Sequence, residues 1–322
     1  MIGTANGLAV SITGLGSHVP EQVMTNDDLA KKMDTSDEWI VSRTGIRERR
    51  IAAEDETLSD LALPAVREAL EDAGLKGSDL DLVIVATVTP DMAFPATAAI
   101  IADEIGAHDA GAYDLSAGCT GFMYGVAQAY GMLAGGLAQR ALVVGGDVLS
   151  KILDWSDRRT AVLFGDGAGA VVMERVGTGG FLGFELGADG SGGRELFLPA
   201  GGKVQMNGRE VFKFATRVLV SSAEAVLAEC GRTVDEVDVY VPHQANVRII
   251  DYATNKLGIP DDRVVIDVDR YGNTSSGSIP LALADAKADG RLAAGRLVLM
   301  TGMGAGLTWG SGLIEWTDGG ST

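Results

Sequence analysis

The chain has 322 residues, 46% of them apolar, and a formal net charge of −18. That length supports a large core and about two domain-sized units, and the apolar content excludes a disordered chain. The acidic balance disfavours nucleic-acid binding, which needs a basic face to displace counterions, and obliges any acidic partner to find a local basic patch.

The first six residues, Met1 to Asn6, lack the basic start of a secretion signal. Residues 8–14 read as a strand, 61–73 as a helix closed by Gly74, and 82–88 as a second strand. No charge occurs between Asp114 and Arg140, so this stretch imitates a membrane span. Its repeated Gly, two Gln and strand-like start instead predict a helix buried on all sides, with no membrane association. Residues 141–146 and 171–175 are further apolar strands. The alternation predicts an α/β protein whose sheets are covered on both faces. Glycines 177, 179, 180 and 183 mark a boundary between halves 1–176 and 177–322, and the tail 318–322 reads as frayed.

The halves resemble each other. A helix, a glycine, a polar loop and an apolar strand run from Ala65 to Val85 and again from Ser221 to Val241. Aligning Gly74 with Gly231 also aligns Asp81 with Asp238, an offset of 157. Further on, the strand starting at Arg140 resembles the one starting at Arg296. In each half a glycine-rich bend and a helix precede that strand, and the bends carry Cys119 and Asn273. Such a repeat places an active site at the seam between the halves.

Only two cysteines occur, Cys119 and Cys230, beside three histidines, His18, His108 and His243. None has metal-ligand spacing, so no metal is expected, and so few cysteines fit a reducing, cytoplasmic compartment. Cys119 lies in Ala117-Gly118-Cys119-Thr120-Gly121-Phe122, where a strand turns into a helix. A thiol at a helix N-terminus has its pKa lowered from about 8.5 to roughly 3.5–7.5, although free cysteine is also a common buried hydrophobe. His243 ends an apolar strand at the edge where α/β sheets place ligands, and taken alone is as readily structural. Asn273, between Gly272 and Thr274, is by itself ordinary turn chemistry. The run Thr301 to Gly310 lets a backbone approach a ligand closely, and its N–H groups suit an oxyanion hole. With no amphipathic helix after it, it is not a dinucleotide loop.

Taken together, these segments carry a resemblance along nearly the whole chain. Asp37-Glu38-Trp39-Ile40, Arg43-Thr44-Gly45-Ile46, the Cys119 segment, Phe164-Gly165-Asp166-Gly167-Ala168-Gly169, His243-Gln244-Ala245-Asn246, Gly272-Asn273-Thr274-Ser275 and Gly306-Leu307-Thr308-Trp309-Gly310 occur in this order. The sequence resembles a β-ketoacyl-acyl carrier protein synthase III, a condensing enzyme of the thiolase superfamily. The resemblance implies a five-layer αβαβα sandwich of two duplicated halves. It implies a ping-pong decarboxylative condensation in which Cys119 takes the acyl group of a short acyl-CoA. His243 and Asn273 then stabilise the enolate from malonyl-acyl carrier protein. The backbone N–H groups of Cys119 and Ala305 would hold the oxyanion; relatives often have glycine at the latter place.

By the same resemblance Trp39 and Arg158 sandwich the CoA adenine, Arg43 and Asn246 lie at the CoA site, and Phe94 closes the acyl pocket of a neighbouring subunit in a homodimer. The CoA thioester is a substrate, and no bound cofactor is implied. Arg209, Lys213 and Arg217 recur at four-residue spacing on one helix face. With Arg248 and Lys256 they form the patch for the acidic carrier protein. A priming ketosynthase or acyltransferase of polyketide and secondary metabolism shares the same trio, and a degenerate partner subunit of a condensing heterodimer is the non-enzymatic alternative. A papain-like hydrolase is disfavoured by the mid-chain cysteine. A thiolase is disfavoured because residues 302–310 hold no second cysteine.

Overall fold

The computed structural model describes residues 9–317; the expected strand start at Leu8, the N-terminal segment and the tail lie outside them. The first sheet takes the strands Ala9–His18, Gly167–Val176, Arg140–Asp147, Leu82–Ala86 and Gly111–Leu115 in that order. The second takes Gly180–Ala188, Thr308–Glu315, Leu297–Gly304 and Val239–Pro242. In both, two antiparallel pairings come first; two parallel pairings follow in the first sheet and one in the second. Leu82 pairs with Ala141 and Val239 with Val298, so the offset of 157 holds through both strands. It makes Leu297, rather than Arg296, the counterpart of Arg140. Arg296 belongs to the preceding turn, with its N–H on Ala293.

Helices fill three layers around these sheets. Leu58–Ala73 and Thr97–Glu104 pack their buried faces on the outside of the first sheet. Gly208–Glu229 and Val247–Leu257 cover the outside of the second. Gly121–Ala134 and Ser278–Ala288 lie between the sheets. Phe122, Met123, Val126, Ile279 and Leu283 share one core with Ile84 and Val143 on one side and Val241 and Met300 on the other. The result is the expected αβαβα sandwich. The uncharged 114–140 stretch supplies one of these central helices, but it is not buried on all sides as expected: Phe122, Met123, Val126 and Leu133 are buried, whereas Gln128 and Gly131 reach the surface. Among the described residues no helix is long and apolar enough to cross a membrane.

The expected elements are present with longer or shorter limits. The first strand runs on to His18 because Gly14 and Gly16 are contact positions rather than a turn. A Cβ on either would lie 2.1 Å from a carbonyl of the Leu58–Ala73 helix. That helix starts at Leu58, earlier than expected, where Thr57 and Asp60 form a capping box, and it ends at Gly74 with φ 67°. The 82–88 strand stops at Ala86, because Thr87, Val88 and Thr89 turn their donors to Asp147 at 2.8–3.2 Å. The strand expected at 171–175 begins at Gly167, and Gly169 in it lies against Pro280.

Gly16→Ala is expected to cost about 1–3 kcal/mol through overpacking against Ala65 and Ala69. Gly131→Ala, on a helix position with nothing within 4 Å of an added Cβ, is expected to be neutral or slightly stabilising. Urea midpoints of the two variants make the comparison.

Candidate active site

Cys119 sits on a tight turn, Gly118–Thr120, between the strand ending at Leu115 and the helix starting at Gly121. Gly118 has φ 57°, and a Cβ there would lie 2.8 Å from the Ala305 nitrogen. A Cβ on Gly304 would lie 2.6 Å from the Cys119 nitrogen. The bend of the first half and the 304–306 bend of the second therefore meet backbone to backbone. Thr308 Oγ1 spans the seam, 2.9 Å from the carbonyl oxygens of both Ala117 and Ala305.

His243 leaves the end of the Val239–Pro242 strand, its N–H donating to Thr301 at 2.8 Å. Gln244 locks this bend. Its amide donates to the carbonyls of Pro242 (2.8 Å) and Val265 (3.0 Å), and its oxygen accepts the Asp267 N–H at 3.0 Å. His243 Nδ1 lies 3.0 Å from Ser278 Oγ, while Nε2 is buried without a protein partner. Burial draws the imidazole pKa down to about 4, so the ring is neutral at pH 7.

Asn273 is held by its backbone, N–H to Leu163 at 2.8 Å and carbonyl to the Gly165 N–H at 3.0 Å. Its side-chain oxygen accepts the Ser275 N–H at 2.9 Å, which leaves the NH₂ end for the cavity. Ser275, at φ 55°, is the one non-glycine residue with positive φ among the described residues, and it lines the larger cavity beside Cys119. Next to it, Ser276 Oγ lies 3.0 Å from Asp147 Oδ2 and 2.7 Å from the Ala86 carbonyl.

Cys119, His243 and Asn273 line a single cavity of about 280 Å³, together with Trp39, Arg43, Arg158 and Asn246. A second, apolar chamber of about 670 Å³ meets it at Cys119, walled by Val88, Leu115, Leu149, Ile152, Phe164 and Val204, with Ala305 and Ser275 beside the sulfur. The thiol is thus shared by two cavities, both lined mainly by apolar side chains, and the first of them also carries Arg43, Arg158 and Arg159. At the mouth the Trp39 ring lies 4.7 Å from the Arg43 guanidinium and 4.9 Å from that of Arg158. Asn246 is committed to the backbone at both ends, donating to the Arg43 carbonyl at 3.0 Å and capping Val247–Leu257 through the Arg248 N–H at 2.9 Å. Phe94 lines neither chamber and is 84% exposed.

The basic residues of the second half lie outside both cavities. Arg209, Lys213, Arg217, Arg248 and Lys256 are all exposed. Lys213 pairs with Glu210 at 2.7 Å, and Arg248 stacks over Phe212 at 5.5 Å, which joins the two outer helices. Lys256 lies over Tyr252 at the far end of the second helix.

Several supporting residues were not legible in sequence. Arg49 is fully buried and bonds only neutral oxygens: Met24 O at 3.1 Å, Asn26 Oδ1 at 2.9 Å and Val162 O at 2.9 Å. Asn26 continues to Asp37 at 2.8 Å, so this one cation ties the Trp39 helix to the turn carrying Arg158. Asp147 and Ser275 left no pattern either: the donors to Asp147 lie 58 to 129 residues away, and Ser275 is placed by an unusual φ.

One expectation is reversed. The helix N-terminus was expected to lower the Cys119 pKa, but the sulfur is buried with no cation beside it. Burial pushes the thiol up to about 11, Asp147 adds to this, and the Ser275 hydroxyl and the backbone N–H only partly oppose it. The rate of Cys119 alkylation by a small neutral reagent should therefore climb about tenfold per pH unit from pH 7 to 9. A preformed thiolate would give a flat profile over that range.

Comparison with known proteins places the whole chain in a family. Residues 113–190 match the family described as 3-oxoacyl-[acyl-carrier-protein] synthase III, and residues 227–316 match its C-terminal part. The chain is 54% identical over 308 residues to beta-ketoacyl-[acyl-carrier-protein] synthase III 1 of Bacillus anthracis, covering 95% of this chain and 99% of that one. The crystal structure of 3-oxoacyl-[acyl-carrier-protein] synthase III from Aquifex aeolicus superposes with a TM-score of 0.94 at 45% identity, covering 96% of this chain and all of that one. The priming beta-ketosynthase of the R1128 polyketide pathway gives 0.90 at 37% identity, over 95% and 96% of the two chains. With a thiol, an imidazole and an amide gathered at one seam, and such identity along almost its entire length, the chain belongs to the 3-oxoacyl-[acyl-carrier-protein] synthase III family of thiolase-fold condensing enzymes.

Proposed function

We propose that the chain condenses a short acyl-CoA with malonyl-acyl carrier protein, the initiating step of fatty acid synthesis. The observation that carries this reading is the position of Cys119, where the cavity holding His243 and Asn273 opens into an apolar chamber. The acyl chain lies in the apolar chamber, and the CoA arm leaves past Trp39, Arg43 and Arg158, its adenine stacked on the indole. Trp39 and Arg158 now face each other at 4.9 Å, so adenine enters by displacing the guanidinium from the ring.

In the first half-reaction the Cys119 sulfur bonds the acyl carbon, the carbon–sulfur bond to CoA breaks, and CoA leaves as the thiol with the cysteine proton. The N–H groups of Cys119 and Ala305, brought together by the backbone contact at Gly118 and Gly304, hold the oxyanion. Removing such a donor costs about 10²–10³ in rate. In the second half-reaction malonyl-acyl carrier protein loses carbon dioxide. The enolate oxygen is held by imidazole N–H and Asn273 NH₂, its carbon bonds the acyl carbon, and Cys119 departs. Neutral donors suit this step because they stabilise the enolate without protonating it.

The exposed Phe94 is assigned to the acyl pocket of a second copy in a cytoplasmic homodimer. Arg209, Lys213, Arg217, Arg248 and Lys256 are assigned to the carrier protein, which has the charge to find them on an otherwise acidic surface.

Two measurements test the reading. Malonyl thioester labelled in its free carboxylate should release labelled carbon dioxide once Cys119 is acylated. His243→Ala should reduce that release by about 10² while intact mass still shows a full acyl-Cys119 adduct; loss of the adduct would contradict the assigned role. Arg209→Glu with Lys213→Glu should raise KM for malonyl-acyl carrier protein several-fold and leave KM for acyl-CoA unchanged. An equal rise in both removes the docking assignment.

A further inference from the structure

A buried hydroxyl has one proton and has to place it. Ser278 opens the central Ser278–Ala288 helix and is 1% exposed. Its Oγ lies 2.6 Å from the Gln244 nitrogen, whose N–H donates to it. That contact uses an oxygen lone pair and leaves the hydroxyl proton to be placed. The other contact of Oγ is His243 Nδ1 at 3.0 Å. Among the described residues, this ring nitrogen is the acceptor the structure offers that proton.

The reverse arrangement is poorer. If Nδ1–H donated to Ser278, the oxygen would receive two protons from its neighbours and its own would be buried without an acceptor. Nothing in the bend can rotate to repair this, since the Gln244 side chain is bonded to four backbone groups. The position is particular to the second half. At the offset of 157 the first half has Gly121, which has no hydroxyl to offer.

We propose that Ser278 donates its hydroxyl proton to His243 Nδ1 and thereby fixes the imidazole as its Nε2–H tautomer. Ser278 is then a positioning residue: it makes the buried, otherwise unpartnered Nε2 a donor into the cavity shared with Cys119 and Asn273. The opposite tautomer would present a lone pair there and repel a developing enolate. The last step rests on the condensation proposed above; the tautomer does not.

Nitrogen-15 NMR of histidine-labelled enzyme tests this directly. The chain has three histidines, and a His243→Ala sample identifies the signals that matter. At pH 7 the native protein should show a pyrrole-like Nε2 and a pyridine-like Nδ1 for His243. Ser278→Ala should shift the ring toward the Nδ1–H form and cut labelled carbon dioxide release about 10–10²-fold, with Cys119 acylation unchanged. Ser278→Thr should restore both readouts. A native Nδ1–H tautomer overturns the proposal, and so does Ser278→Ala with native tautomer and native release. If Ser278→Ala fails to fold, the native spectrum decides alone. If that spectrum is as expected but the native protein releases no carbon dioxide, the tautomer assignment stands and the condensation reading fails.

Discussion

The site depends on two backbone segments meeting with no side chain between them. Gly118 and Gly304 supply that contact from opposite halves, and a single methyl group on either would come within 3 Å of the other segment. Side chains could fill the same space, but they would push the Cys119 and Ala305 N–H groups apart. Thr308 fastens the seam with a hydroxyl within reach of a carbonyl from each bend. The oxyanion role proposed for these donors requires that they be fixed before the charge appears, and packed backbone is the stiffest way to fix them.

Around that contact the chemistry is kept neutral. Burial lowers the His243 pKa and raises that of Cys119, so both groups rest uncharged. The nearby carboxyl of Asp147 is enclosed by donors from Thr87, Val88, Thr89 and Ser276, and ties the wall of the apolar chamber to the turn that carries Asn273. Cationic side chains stand at the mouth, where Arg43 and Arg158 flank Trp39. A neutral interior with a basic entrance suits a substrate that brings phosphates to the surface and develops its charge inside, where low dielectric strengthens each hydrogen bond.

The two halves share topology and register but divide the labour. Their central helices start at positions related by the same offset, Gly121 and Ser278. The turn before the first presents the Cys119 thiol. The turn before the second presents Ser275 to that thiol, and the helix that follows presents Ser278 to the imidazole. One architecture used twice thus yields unlike functional groups facing each other.

Much of this was legible in the chain. Strand and helix alternation, the 157-residue repeat, the uncharged central helix and the bends of Cys119, His243 and Asn273 follow from local pattern, because apolar period and glycine placement act over short range. Their convergence was legible only through the resemblance of seven short segments taken in order. Other features required the packed protein. Gly14 looked like a strand end until a helix lay across it and Gly16. Arg49, Asp147 and Ser278 found partners that no spacing announces. The Cys119 thiol moved opposite to expectation, since a helix end is visible in sequence but desolvation is not. Local sequence determined which elements form and which residues stand at their ends. Only the tertiary structure decided their protonation and partners, because burial and hydrogen bonding are properties of the surroundings a residue acquires when distant segments close around it.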